Sequence, residues 1–414
     1  MPDSRGAGPG PDRVRYAPAV ILAVAELLAM SLWFSASAVV PELTKAWSLS
    51  GGQAAWLTMS VQLGFVAGAL LSSILTLADL WNPRRLFAAS ALLGAAATAA
   101  IPVLARGPGL ALPLRFVTGM ALAGVYPTGM KIMAGWFRDR RGLAIGVLVG
   151  ALTVGSALPH LLHVLGGLAS WRPVLFLAAG LAVAGAVLGG WGLEDGPYQA
   201  PSAPFDPRAV GRILRDRATL LADGGYFGHM WELYAVWTWI PIFAEESFRA
   251  DASPISGPRA AALLAFGTIA IGGVGAWLAG MAADRWGRTL VTSLSMAVSG
   301  ACCLVAGFVF GGPPALVVAL CLVWGFAIVA DSAQFSTCVT ELAEESYVGT
   351  ALTLQTAVGF LLTLATIRLT PAVAARWGWG WAFAPLVIGP ILGTLSMLRL
   401  RARPEAARLA GGRR

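Results

Sequence analysis

Glu26-Leu27-Leu28-Ala29-Met30-Ser31-Leu32-Trp33 and Glu232-Leu233-Tyr234-Ala235-Val236-Trp237-Thr238-Trp239 carry one phrase, Glu-Leu-x-Ala-x-x-x-Trp, written 206 residues apart. Each copy lies inside a hydrophobic run. A carboxylate at the middle of a membrane helix costs roughly 2.5–3.5 kcal/mol on insertion scales, so a chain seldom keeps one without a use. Two of them at matching positions indicate an internal duplication and mark where function is to be sought.

The runs are long enough to cross a bilayer. Of 414 residues, 57% are hydrophobic and 12% charged, against about 25% charged in a soluble domain. Spans of about 20 apolar residues recur twelve times. In the first half they are Tyr16–Val40, Gln53–Ala78, Arg85–Leu104, Leu110–Met133, Gly142–Leu165 and Pro173–Trp191. In the second they are Leu220–Phe243, Arg259–Met281, Leu290–Phe310, Pro314–Val339, Gly349–Leu369 and Trp379–Leu400. This predicts an all-α membrane protein of twelve transmembrane helices. The first run lacks a small-residue cleavage site and reads as a retained span. Twenty Arg and Lys fall on the side of the termini and six on the other, which places both termini in the cytoplasm of an expected bacterial plasma membrane. The net charge of +8 follows from that bias, so no nucleic-acid partner is called for. Cys302, Cys303, Cys321 and Cys338 read as small apolar fillers without metal-ligand spacing.

The expected organisation is a cytoplasmic tail (1–15), a six-helix bundle (16–191), a Pro- and Arg-rich cytoplasmic linker (192–218), a second bundle (219–400) and a tail (401–414). Asp79 and Asp284, Gly119 and Gly325, and Gly142 and Gly349 repeat at nearly the same offset as the two glutamates. Six spans per half make the repeats parallel, so Glu26 and Glu232 are expected to face each other across the axis between them.

The connection Gly280-Met-Ala-Ala-Asp284-Arg285-Trp-Gly287-Arg288 resembles the G-x-x-x-D-R-x-G-R signature of the major facilitator superfamily. The matching connection of the first half keeps Asp79, Arg84 and Arg85 but has Leu75 and Asn82-Pro83 where the pattern differs. Arg115-Phe-Val-Thr-Gly119 and Trp136-Phe-Arg-Asp-Arg-Arg-Gly142 also resemble the family's fourth-span pattern and its following loop. The resemblance implies two pseudo-symmetric six-helix bundles, alternating access around a central cavity, and a cytoplasmic gate at Asp79, Arg84, Arg85, Gly280, Asp284, Arg285, Gly287 and Arg288. In that gate glycine is expected to permit close helix approach. The fifth span carries Gly142, Gly146, Gly150 and Gly155, but Pro159-His160 stands where the antiporter signature has Gly-Pro.

Glu26, Glu232, Asp331 and Arg115 are the ionisable residues well inside spans. Glu26 and Arg115 differ in level by roughly 6 Å at 1.5 Å per residue, so they are expected to pair. Glu232 then lacks a cation and suits a proton carrier, with His229 one helical turn away as a relay partner; a helix contact to Trp or hydroxyl donors is the alternative. Asp331, Gln334 and Trp324 share a face expected to line the cavity. Trp33, Phe34, Tyr126, Trp231, Tyr234, Trp237 and Trp239 supply an aromatic wall, with Trp237 or Trp239 turned to lipid or another helix. His160 and His163 are expected in structural hydrogen bonds. The function expected is a proton-coupled secondary transporter, leaning to a small organic anion on account of Arg115. A drug or cation–proton antiporter, and a non-transporting receptor or assembly subunit, are the alternatives. No catalytic constellation points to an enzyme. No cofactor or metal is expected, and the partners are a small solute, protons and the bilayer around a monomer.

Overall fold

The computed structural model describes residues 16–137, 141–165, 170–198, 206–251, 257–344 and 347–413, without the side chains of 16, 78–79 and 141–144. Asp79 and the loop residues Arg138 and Arg140 therefore lie outside the described side chains.

Nine spans are Gly51–Ile74, Pro83–Leu104, Arg141–Leu165, Arg172–Trp191, Arg217–Ala250, Pro258–Trp286, Arg288–Val309, Val348–Trp377 and Ile388–Arg401, the last preceded by short 3-10 turns from Trp379. The other three are broken. The first comprises Tyr16–Met30 and Val40–Trp47, the fourth Pro108–Leu122 and Tyr126–Trp136, and the tenth Pro314–Ala330 and Ser332–Leu342. Among the described residues, ten helical segments are long and apolar enough to cross a membrane. The two spans missing from that set are the glutamate-bearing ones: the first is interrupted after Met30, and the seventh carries Asp223, His229 and Glu232. With these two the count is twelve. Large side chains such as Leu93, Val187, Val298 and Ile391 remain exposed around the bundle, as a lipid-facing belt requires.

Local chemistry sets the helix ends. Ser50 and Gln53 form a reciprocal capping box at the second span. Asn82 and Asp216 accept backbone N–H groups at the starts of the third and seventh. Gly287, at φ +97°, is the joint between the eighth and ninth spans, a conformation that favours glycine. Gly280 does not have the expected role, because a Cβ there would meet no atom within 4 Å.

Close helix approach occurs at other glycines. A Cβ on Gly119 would overlap the Val61 carbonyl, and one on Gly325 would overlap that of Thr268. The duplicated glycines thus seat the fourth span on the second and the tenth on the eighth. The halves meet where the fifth span crosses the eighth, at Gly150 and Gly273, and where the second meets the eleventh, with Ser73 Oγ 3.1 Å from Thr353 Oγ1. The segment Pro404–Gly412, expected as a tail, is docked: Ala406 and Leu409 are buried, and the Ala410 N–H donates to Glu341 Oε2 at 3.0 Å.

Candidate functional site

Where the halves meet, a cavity of about 340 Å³ is lined by Trp33, Phe65 and Tyr126 from one side and Tyr226, Tyr234 and Phe360 from the other. An adjoining lobe of about 350 Å³ shares Phe65, Tyr126 and Ser336 and adds Lys131 and Thr353. The cavity extends to Asp284, Arg288 and Glu341 at the end of the bundle that carries most arginines, called here the basic end. Away from that end it stops at packed aromatic rings. Centroid separations are 5.0 Å for Trp33–Phe65, 5.7 Å for Trp33–Tyr234, 5.1 Å for Tyr234–Phe360 and 4.6 Å for Phe65–Phe360. Phe34 extends the cluster to Trp237 at 5.9 Å. Each such pair contributes about 0.5–1.5 kcal/mol beyond burial, so the far closure is a multi-ring contact across the two halves.

Of the expected wall, Trp33, Tyr126, Tyr234 and Trp237 line the cavity. Trp239 turns to a neighbouring helix, its indole N–H donating to the Ile367 carbonyl at 2.9 Å.

The expected Glu26–Arg115 pair is not formed. Arg115 is fully buried and donates to the carbonyls of Leu32, Trp33 and Leu57 and to Ser35 Oγ, at 2.9 Å for Leu32 and 3.1 Å for Ser35. The interruption of the first span after Met30 leaves the Trp33 carbonyl without a backbone N–H, and the guanidinium satisfies it. The same group adds a second donor to Leu32, which also accepts from the Ser35 hydroxyl at 2.8 Å, and to Leu57 in the helix of the second span. Glu26 packs instead beside Gly129, where an added Cβ would lie 2.8 Å from Oε2, and within electrostatic reach of Tyr126. Both of its carboxylate oxygens are buried without a hydrogen-bond partner among the described residues.

Glu232 is the satisfied member of the pair. Trp324 Nε1 donates to Oε1 at 2.6 Å, Ser299 Oγ to Oε2 at 2.9 Å and Cys303 Sγ to Oε1 at 3.2 Å. Cys303 is therefore a donor as well as a filler. The two glutamates do not face each other, since each is turned among helices of its own half. Nor does His229 pair with Glu232: its Nδ1 lies 2.8 Å from Asp331 Oδ1, at the break of the tenth span.

Trp324, Asp331 and Gln334 do share a face of the tenth span, directed at protein partners behind the cavity wall. Gln334 Oε1 accepts from Arg288 at 2.8 Å, and Glu341 holds the same guanidinium at 2.9 and 2.7 Å. Asp284 is 3.5 Å from Arg288, while Arg285 is exposed. In the first half Arg84 pairs with Asp195 at 2.6 Å, Asn82 donates to the same carboxylate, and Arg85 is exposed. Glu341 and Asp195 were missed because both lie at span ends, where acidic residues are cheap. Asp223 was missed as well; Gln355 donates to it at 2.9 Å, and Ser336 on the cavity wall contacts Gln355. Toward the far end His163 Nε2 is 3.3 Å from Glu42, whereas both ring nitrogens of the buried His160 lack a partner among the described residues, contrary to the expected bonding.

The fold is similar to that of a bacterial homolog of the human lysosomal transporter Spinster, solved in an inward-facing, unoccupied conformation. The TM-score is 0.69 at 14% identity, covering 95% of this chain and all of that one. The uncharacterized transporter YgaY of Escherichia coli, in strains K12 and O157:H7, is 27% identical over 166 residues. That match spans 39% of this chain and 40% of the length of those relatives. Residues 22–367 match the Major Facilitator Superfamily, a stretch from the first span to the eleventh that contains both glutamates, the aromatic closure and the Arg288 cluster. The chain belongs to the major facilitator superfamily.

Proposed function

We propose that the chain is a proton-coupled secondary transporter that moves a small solute by alternating access, with the basic end in the cytoplasm. The carrying observation is the cavity between the halves, which reaches the Arg288 cluster at one end and is closed by the Trp33–Tyr234–Phe360 rings at the other. Separating those rings and closing the basic end would pass the same cavity to the opposite side.

Glu26 is the better proton carrier of the two glutamates. An ionised carboxylate with no donor has nothing to compensate its charge in a dry bundle, so a proton or cation must accompany it. Glu232 already has three donors and supports the helix contact. Arg115, the reason for expecting an organic anion, is occupied by backbone carbonyls. The aromatic and hydroxyl-bearing wall instead supports an amphipathic solute of low charge.

Proteoliposomes enclosing a pH-sensitive dye test this. A panel of amino acids, organic acids, nucleosides and lipophilic amines is added outside. At least one should drive proton movement, lost in Glu26→Gln and kept in Glu232→Gln. Silence across the panel favours a receptor or subunit, and loss only in Glu232→Gln moves the proton site there.

A further inference from the structure

At the basic end, the first turn of the seventh span and the last turn of the twelfth frame a groove of about 500 Å³, lined by Arg217, Leu220, Leu221, Arg399, Ala402 and Arg403. The two helices are drawn together just above it. Ser396 Oγ donates to the Leu221 carbonyl at 2.9 Å, and Gly228 and Gly389 meet backbone to backbone. Three guanidiniums thus rim an opening whose floor is leucine and alanine, at the level where both helices leave the apolar belt. Arg217 and Arg399 are exposed and make no ion pair among the described residues. Arg403 is held by Glu405, at 3.2 and 3.3 Å. Asp216 is turned away, accepting from the Ala218 N–H at 3.0 Å and the Thr219 hydroxyl at 2.7 Å.

We propose that this groove binds an anionic phospholipid, with its phosphate among Arg217, Arg399 and Arg403 and the start of an acyl chain along Leu220 and Leu221. The pairing of planar, bidentate donors with an apolar floor at the membrane surface matches a phosphodiester attached to a hydrocarbon tail. A free anion would use the arginines alone. Basic pockets between membrane helices hold headgroups in this way, each arginine strengthening binding about fivefold. The occupant would clamp the seventh span, which carries Glu232 and His229, to the twelfth.

Purified protein in nonionic detergent is titrated with phosphatidylglycerol, phosphatidylcholine of the same chains, or inorganic phosphate, reading the melting temperature and lipid retention by native mass spectrometry. Phosphatidylglycerol alone should raise the melting temperature and be retained. The increment should vanish in Arg217→Gln/Arg399→Gln/Arg403→Gln, measured against that variant's own lipid-free baseline. Glu405→Gln frees Arg403 and should tighten retention. Equal effects of phosphatidylcholine, full reproduction by phosphate, or an unchanged increment in the triple variant would overturn the proposal.

Discussion

Replacing Arg115 by methionine removes the fork that closes the break in the first span while keeping an unbranched apolar stem of similar reach. The Leu32 carbonyl keeps the Ser35 hydroxyl as donor at 2.8 Å and the Leu57 carbonyl lies inside the helix of the second span, so the Trp33 carbonyl is the acceptor left without a donor among the described residues. A buried acceptor left unsatisfied costs about 1–3 kcal/mol, which is the expected loss before relaxation. Removing the buried charge itself returns part of this, and the chain from Ser31 can rewind toward helix, so we expect a loss near the lower bound, about 1 kcal/mol. Thermal unfolding in detergent should show a fall of about 2 degrees, with faster hydrogen exchange between Ser31 and Val39. A double-mutant cycle then separates this account from an ion pair. Glu26→Gln and Arg115→Met should be additive to within about 0.5 kcal/mol, as for residues that share no partner. Coupling above about 1.5 kcal/mol, or an Arg115→Met protein as stable as the parent, would refute the reasoning.

Trp324→Phe leaves Glu232 Oε1 without its 2.6 Å indole donor and should destabilise by about 1.5–3 kcal/mol, read as a lower melting temperature. Gly119→Ala and Gly325→Ala should both fail to accumulate as folded protein, because a Cβ overlaps a facing carbonyl, whereas Gly280→Ala should express and melt like the parent. Glu341→Ala releases Arg288 and the Ala410 N–H together. Limited trypsin digestion after Arg408 should then accelerate, and an unchanged rate would count against the docked C-terminal segment. The Glu405 carboxyl is held below its usual range by Arg403, so folding gains from it above the ordinary carboxylate pKa and loses that gain as pH falls through the lowered value. Hydrogen exchange across residues 403–409, normalised to the intrinsic rate at each pH, should accordingly rise only in acid.

The spans were legible because hydropathy over 20 residues is a strong signal, and the repeat was legible because Glu, Trp and Asp are scarce in such a chain. The breaks were less so. Around Ser31–Ala36 and Asp331 the chain stays apolar enough that hydropathy runs on; only small polar residues in the first span, and Gly124 with Pro127 in the fourth, marked a change. Depth along a helix correctly placed Arg115 near the first span but could not tell a carboxylate from a carbonyl freed by a break. His229 and Glu232 illustrate the limit of helical spacing. Residues three apart diverge by about 60° around the axis, enough to send one to Asp331 and the other to Trp324. The motif glycine Gly280 sits in open space while Gly287 carries the strained joint, so the pattern located the corner without saying which glycine the backbone needs.

The central claim is that the aromatic closure and the basic end open in alternation. Spin labels at Ala46→Cys and Ala250→Cys report on the far end, and labels at Leu80→Cys and Thr340→Cys report on the basic end; all four sites are exposed, while the native cysteines are buried. Pulsed dipolar distances in nanodiscs, taken across pH and with Trp33→Ala and Tyr234→Ala to weaken the rings, should show the far pair lengthening as the basic pair shortens. A far-end distance that stays single and fixed in every condition, with the rings weakened, would contradict alternating access.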